Sequence, residues 1–217
     1  FWVKPSQIFV EGIRHITPLD IQFARRLGYC IKLLGIVKKL GGKVQIAVHP
    51  ALVPETHVLA NVSDVFNAIL VRGDIVGDTL HYGQGAGADA TASAVLSDLA
   101  DAALDLKNGS MGRIPPVVPH EQDGGVLPMD KAVSPFYLRL SVIDRAGTLA
   151  KIAAILGEMK IGICSVTQPE GHVGESVRLI LMLHDAPDLV MRQALRKIAR
   201  LSAIKAKPTM IRVETFE

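Results

Sequence analysis

Two periods divide the apolar positions of this chain: alternation every second residue, which predicts strands, and i, i+3, i+4, i+7 spacing, which predicts helices. Thr17-Pro18-Leu19-Asp20 reads as a helix start, with Thr17 as N-cap, Pro18 at the first helical position and Asp20 three residues after the cap. That helix closes at Leu27-Gly28, where glycine suits a left-handed residue. A strand-like run over 31–37, the pair Gly41-Gly42, and alternating Val44, Ile46 and Val48 predict a hairpin. Further strands are predicted over 66–71 and 75–82, separated by Gly73-Asp74. A helix follows over 91–106, with Ala92, Val95, Leu96, Leu99, Ala102, Ala103 and Leu106 on one stripe and Asn108-Gly109 as its stop. Residues 1–90 therefore read as one helix and a mostly antiparallel sheet.

The composition then changes. Gly112, Pro115, Pro116, Pro119, Gly124, Gly125 and Pro128 exclude long regular elements, so 108–131 reads as a linker between domains at 1–107 and 132–217. Beyond it the periods are sharp: a strand over 137–142, a turn at Asp144-Arg145-Ala146-Gly147, and a helix over 148–159 with Leu149, Ile152, Ala153 and Leu156 on one face. Strands over 162–167 and 176–183 follow, joined by a polar hairpin around Gly171 and Gly174. A helix after Pro187, burying Met191, Leu195 and Ile198, and a strand over 210–213 complete a βαββαβ order. Such a split βαβ places four strands in one sheet with both helices on one face.

At 217 residues and 49% hydrophobic, the chain has room for one large domain or two small ones and a substantial core. A net charge of +3 is too small to argue for nucleic acid. The stripe Arg192, Arg196, Lys197 and Arg200 reads as a solvated helix face. No apolar run approaches a membrane span, and Phe1-Trp2-Val3-Lys4 does not resemble a signal peptide. Cys30 and Cys164 read as buried small residues in a reducing cytosol, which predicts a cytoplasmic protein. No Cys/His spacing suits zinc, no HExxH is present and no serine sits in a GxSxG elbow, so neither a metal site nor a serine nucleophile is assigned. The chain opens without a methionine, inside what reads as a structured region, and is expected to be a fragment.

The segment with most chemical content is Tyr82-Gly83-Gln84-Gly85-Ala86-Gly87-Ala88-Asp89-Ala90-Thr91, which joins an alternating run to a helix through glycines at every second position. A backbone this bare can approach a ligand closely, and a helix N-terminus offers free amides and a positive dipole end. A phosphate-bearing cofactor suits such a turn; equally, the glycines could simply permit tight entry into the helix. The spacing is wrong for a strand–GxGxxG–helix fingerprint, and no such unit with a downstream acidic residue occurs elsewhere in the chain.

The C-terminal segment, with Asp144-Arg145-Ala146-Gly147-Thr148-Leu149 following a D-x-x-G-x-L pattern, resembles an ACT domain, the small βαββαβ module that binds amino acids. The resemblance implies an effector near Asp144, Arg145, Ala146 and Gly147, at an interface between paired modules. The residues alone leave a plain tight turn as an equal reading. Val10-Glu11-Gly12-Ile13, Ile16-Thr17, Asp20-Ile21, Leu27-Gly28-Tyr29, Ile31-Lys32-Leu33-Leu34, Val48-His49-Pro50, Leu59-Ala60-Asn61-Val62 and Phe66-Asn67-Ala68 together resemble bacterial homoserine dehydrogenase, as do the glycine cluster, Thr91-Ala92 and Asp98.

The resemblance implies an α+β protein: an incomplete catalytic and dimerisation domain with a mostly antiparallel sheet, then a ferredoxin-like ACT domain. It implies interconversion of L-homoserine and L-aspartate 4-semialdehyde with NADP or NAD in threonine and methionine biosynthesis, feedback by an amino acid (threonine foremost), and a homo-oligomer without nucleic-acid or membrane partners. Gly87 matches the position that touches the nicotinamide cofactor, with Gly85 a weaker candidate. The family's catalytic lysine and acidic substrate residues lie before the VEGI segment. No catalytic residue is therefore assigned: Lys32, Lys38, Lys39 and Lys43 match scaffold or hairpin positions, and His49 reads as structural. The alternative is a non-catalytic amino-acid-binding and oligomerisation protein.

Overall fold

In the computed structural model, which describes residues 3–110, 125–168 and 174–216, the chain forms two compact units: residues 1–55 with 121–217, and residues 56–120. These units do not follow a cut at 108–131, because strands from both ends of the chain share one sheet.

In the larger unit a short strand β1 (Phe9–Val10) precedes helix α1 (Pro18–Arg26). Thr17 and Asp20 form the reciprocal capping box that stabilises the first turn, and Gly28 leaves the helix at φ +81°. Strands β2 (Tyr29–Leu40) and β3 (Lys43–Pro54) are longer than their alternation predicts. Their two-residue turn explains why: Gly41 and Gly42 both take positive φ, the geometry that matches strand twist and lets pairing begin at Leu40–Lys43. Along β3 the residues Ala51, Leu52 and Val53 are wholly buried, since this strand has neighbours on both edges.

The C-terminal part runs β6 (Val133–Ile143), α3 (Thr148–Glu158), β7 (Ile163–Thr167), β8 (Ser176–Pro187), α4 (Asp188–Ile198) and β9 (Thr209–Val213), the predicted βαββαβ order. Its strand order is β9-β6-β8-β7, and β9 continues the sheet by pairing in parallel with β3. Strand alternation divides the core into two layers. Phe136, Leu138, Leu140, Leu179, Leu181 and Leu183 point into a cluster with Ile152 and Leu156 of α3 and Met191 and Ile198 of α4. Tyr137, Ile180, Ile211 and Val213 point the other way, onto Phe23 and Ala24 of α1 and Leu52 of β3. The module's second face is thus covered by the N-terminal segment. Leu149, predicted on the buried stripe of α3, is 40% exposed, and Thr148 is buried in its place.

Of the linker, residues 111–124 lie outside the described residues, as does Gly171 of the polar hairpin. The linker's end is ordered: Val126 forms a parallel bridge to Val44, and Met129 packs with Ala132 against Ala47.

The smaller unit contains hairpin β4 (Phe66–Gly73) and β5 (Gly77–Gln84), followed by helix α2 (Ala88–Asn108). The turn falls at 74–76, so Ile75, assigned by alternation to a strand, lies in it and is 95% exposed. Gly77 at φ +74° sets that turn one residue later than the Gly73-Asp74 pair suggests. Arg72 and Asp78 grip each other bidentately across the hairpin, at 2.6 and 2.8 Å. Helix α2 starts three residues before its apolar stripe predicts and ends at Asn108, with Gly109 left-handed behind it. Val95, Leu96, Leu99 and Leu106 of the stripe are all exposed.

Candidate functional site

The glycine cluster is the exit of β5 and the entry to α2. Gly85 donates its N–H to Val65 O at 3.1 Å, which pins the end of the hairpin. Gly87 then adopts φ +121°, ψ 141°, a conformation open to glycine and strained for any other residue, and serves as the N-cap of α2. No side chain caps this terminus, and the first helical bond runs from Thr91 N–H to Gly87 O at 3.1 Å. The amides before it therefore have no partner in the helix. Beside them an open hollow of about 730 Å³ is bordered by Gly87, Ala88, Thr91, Ala92, Val95 and Leu96. Space is free where a Gly87 side chain would stand.

These features leave the start of α2 open to a ligand: bare backbone, amides without a partner in the helix, and an apolar wall. Asp89 in the first turn already places a carboxylate at the dipole's positive end, which opposes a second negative charge there. Gly85 differs from Gly87. Its φ lies outside the left-handed region, and the side chain of Asn67 occupies the space a Cβ would take. No sequence period signals that contact; it requires the hairpin register that sets Asn67 opposite Gly83.

The second predicted site, Asp144-Arg145-Ala146-Gly147, is the β6–α3 turn. Gly147 is left-handed at φ 84° and caps α3, Lys151 N–H bonding its carbonyl at 3.1 Å. Asp144 is fastened by its backbone, its N–H donating to Glu175 O at 2.9 Å and its carbonyl accepting from Gly174 N–H at 2.8 Å. Arg145, Ala146 and Gly147 are exposed. A separate cavity of about 390 Å³ has Tyr29, Cys164, Met182, His184 and Asp185 among its walls and none of the turn residues.

His49 is buried at 4% exposure, donates from Nδ1 to Pro50 O at 3.0 Å and meets Phe9 edge-on. Burial holds its pKa below the ordinary histidine value. Lys38 is paired with Glu214 at 2.5 Å, as suits a scaffold position. The cysteines depart from expectation: Cys30 is only half-buried and Cys164 exposed, the latter on a strand face whose other side holds the core. Of the basic stripe read as a solvated helix face, Arg196, Lys197 and Arg200 are exposed, and Arg192 is half-buried and pairs with Asp188 and Asp130.

Two buried ionic clusters tie the N-terminal segment to the βαββαβ module, and both are invisible to local sequence patterns. Asp20, fully buried, accepts from Arg139 Nε at 2.6 Å and Nη2 at 3.0 Å, and from Tyr137 Oη at 3.2 Å. Arg212 donates to Asp188 Oδ1 from Nε at 2.9 Å and Nη2 at 2.6 Å, and from Nη1 to Glu11 Oε2 at 2.7 Å. Among the described residues, no group of three His, Cys, Asp or Glu side chains could hold a metal, and no helix is long and apolar enough to cross a membrane.

The architecture defines a class: an α+β chain in which a ferredoxin-like module completes the sheet of an N-terminal hairpin segment, with a glycine loop opening a long helix. Comparison with known proteins makes this specific. The family model described as homoserine dehydrogenase matches residues 1–100. The homoserine dehydrogenases of Neisseria gonorrhoeae and Pseudomonas aeruginosa are 38% and 36% identical over 97% and 96% of this chain, which covers 49% of each. The crystal structure of a homoserine dehydrogenase from Thiobacillus denitrificans superposes with TM-score 0.85 at 39% identity, covering 96% of this chain and 48% of that one. A homoserine dehydrogenase from S. aureus gives TM-score 0.62 at 29% identity. The chain belongs to the homoserine dehydrogenase family, and it spans about half the length of the curated relatives it matches.

Proposed function

We propose that this chain is part of an NAD(P)-dependent oxidoreductase that interconverts L-homoserine and L-aspartate 4-semialdehyde in the cytoplasmic synthesis of threonine and methionine. Its similarity to named homoserine dehydrogenases, over 97% of its length, carries the reading. Residues 1–107 supply the subunit-pairing sheet of a homo-oligomer and one rim of the cofactor site, and residues 132–217 an amino-acid-sensing module. The nicotinamide, when bound, carries the hydride. The part played by this chain is positional: Gly87 lets the cofactor approach the backbone, and the uncapped start of α2 offers amides at the same place. No lysine of this chain is assigned the proton transfer. The isolated chain should therefore fail to reduce NADP with homoserine, and reduction above background would overturn that division of labour.

In the complete dehydrogenase, Gly87→Val should weaken cofactor binding, because a β-branched residue is strained at φ +121°. Unchanged nicotinamide affinity would remove Gly87 from the site. Threonine is the proposed effector, bound at the turn of Asp144, Arg145, Ala146 and Gly147 between paired modules. Calorimetric titration of the full chain tests it; no heat at millimolar threonine leaves a plain turn. The absence of a GxGxxG unit from the chain favours a second reading for the polypeptide by itself, a non-catalytic amino-acid-binding and oligomerisation protein. Threonine binding by a chain that adds nothing to dehydrogenase activity would support it.

A further inference from the structure

We infer that Asn67 is a positioning residue of the cofactor rim, acting through Gly85; this rests on the rim reading above. Asn67 lies in β4 opposite Gly83 of β5, two residues before the point where the chain leaves the hairpin. Its side chain folds over Gly85. A Cβ placed on Gly85 would stand 1.8 Å from Asn67 Nδ2, 2.8 Å from Cγ and 3.5 Å from Cβ, and its three nearest neighbours all belong to this asparagine.

The two glycines of the loop are therefore bare for different reasons. Gly87 has open space around it and is required by its backbone conformation. Gly85 lies outside the left-handed region, and any side chain there would displace the Asn67 carboxamide from its seat. The Gly85 N–H bond to Val65 O fastens the loop to the turn just before β4, and the Asn67 side chain lies against it from within that strand. Only Ala86 separates this clamp from Gly87. Where Asn67 places Gly85, it places the backbone the cofactor would meet. Without it, a Gly-x-Gly segment of high conformational entropy would have to be ordered by the ligand.

The complementarity is tested by a double-mutant cycle in the complete dehydrogenase, reading the dissociation constant of the reduced nicotinamide cofactor by fluorescence titration. Gly85→Ala alone should weaken binding about tenfold, because the methyl drives the carboxamide out of its seat. Asn67→Ala alone should weaken it by roughly three- to fivefold, the ordering of a freed loop. Gly85→Ala placed on Asn67→Ala should cost nothing further, since the remaining neighbour at 3.5 Å is an ordinary contact. Equal losses from Gly85→Ala in both backgrounds, or no loss in either, would overturn the inference. If Gly85→Ala alone does not fold, recovery of its circular dichroism spectrum by Asn67→Ala reports the same complementarity, and no recovery counts against it. Gly87→Val separates the two readings. Unchanged affinity there defeats the rim and this inference with it, whereas weakened affinity with an additive cycle defeats Asn67 alone.

Discussion

Replacing Asp20 with alanine withdraws a single acceptor from five donor groups: Arg139 Nε and Nη2, Tyr137 Oη, and the N–H and Oγ1 of Thr17. The carboxylate is fully buried and the Arg139 side chain is 15% exposed, so the guanidinium left behind has little water to replace its partner. Breaking a buried pair from one side costs about 3–5 kcal/mol, and losing the helix cap alone costs about 1 kcal/mol. The two losses share atoms and do not add, which gives about 4 kcal/mol for Asp20→Ala. For a chain of this size that is a fall of roughly 8–16 °C in melting temperature. Urea denaturation followed by far-UV circular dichroism measures it, as a lower midpoint for the larger unit at unchanged slope.

The pH dependence of the same group adds a second reading. Burial alone raises the Asp20 pKa, but the hydrogen bonds from Arg139 and Thr17 outweigh burial and leave it below the ordinary carboxylate value. A depressed folded pKa gives stability that is fully present above the unfolded value of about 3.9 and is lost as pH falls through the folded one. Asp20→Asn, which keeps an acceptor for the Thr17 N–H, should flatten this acid limb. A loss below about 1 kcal/mol for Asp20→Ala would refute the reasoning, because it would mean that the pair merely offsets its own desolvation. Replacing both partners, as Asp20→Leu with Arg139→Met, should recover much of the loss.

Two further outcomes follow from other buried groups. Arg212→Met should destabilise the larger unit by about 3 kcal/mol in urea, since Asp188 at 1% exposure then keeps only Arg192 as a partner, while Glu11→Gln, at a side chain 26% exposed, should cost about 1 kcal/mol. His49 is held neutral by burial, so the unfolded chain takes up a proton the folded one refuses; stability should fall as pH drops below about 6.5, and His49→Gln should lessen that slope between pH 7 and 5.

Local order was legible wherever one residue type dictates a backbone state. Thr17, Pro18 and Asp20 predict the first turn of α1, Gly41-Gly42 the hairpin turn, and Asn108-Gly109 the end of α2, and each stands where its chemistry requires. The βαββαβ order was legible because its apolar runs keep strand and helix periods and are punctuated by the Asp144–Gly147 turn and by Pro187. Ile75 shows the limit: an apolar residue extends an alternating pattern, yet the left-handed Gly77 assigns it to the turn. The pairing of β3 with β9 was not legible, because only two residue pairs carry it and they join positions near 52 and 213. The ion pairs fail for the same reason, since Asp20 and Arg139 are 119 residues apart and Arg212 and Glu11 are 201 apart. Charge in a sequence says what a side chain can pair with, and only the sheet register says what it does pair with.

The glycine cluster shows how far composition can carry a site. Alternating glycines announce a bare backbone at 83, 85 and 87, and a helix period starting just beyond announces an N-terminus pointing back at them. Those two signals suffice to place a candidate rim. They do not separate a glycine emptied for a ligand from one emptied for a neighbour, because both read as the same letter. The separation needs two quantities that only coordinates hold, the φ of each residue and the occupant of its missing Cβ. At 87 the angle is +121° and the space is open; at 85 the space belongs to Asn67. Family resemblance ranks Gly87 above Gly85 as a cofactor contact; the coordinates draw a distinction of their own, open space at one position and the Asn67 side chain at the other.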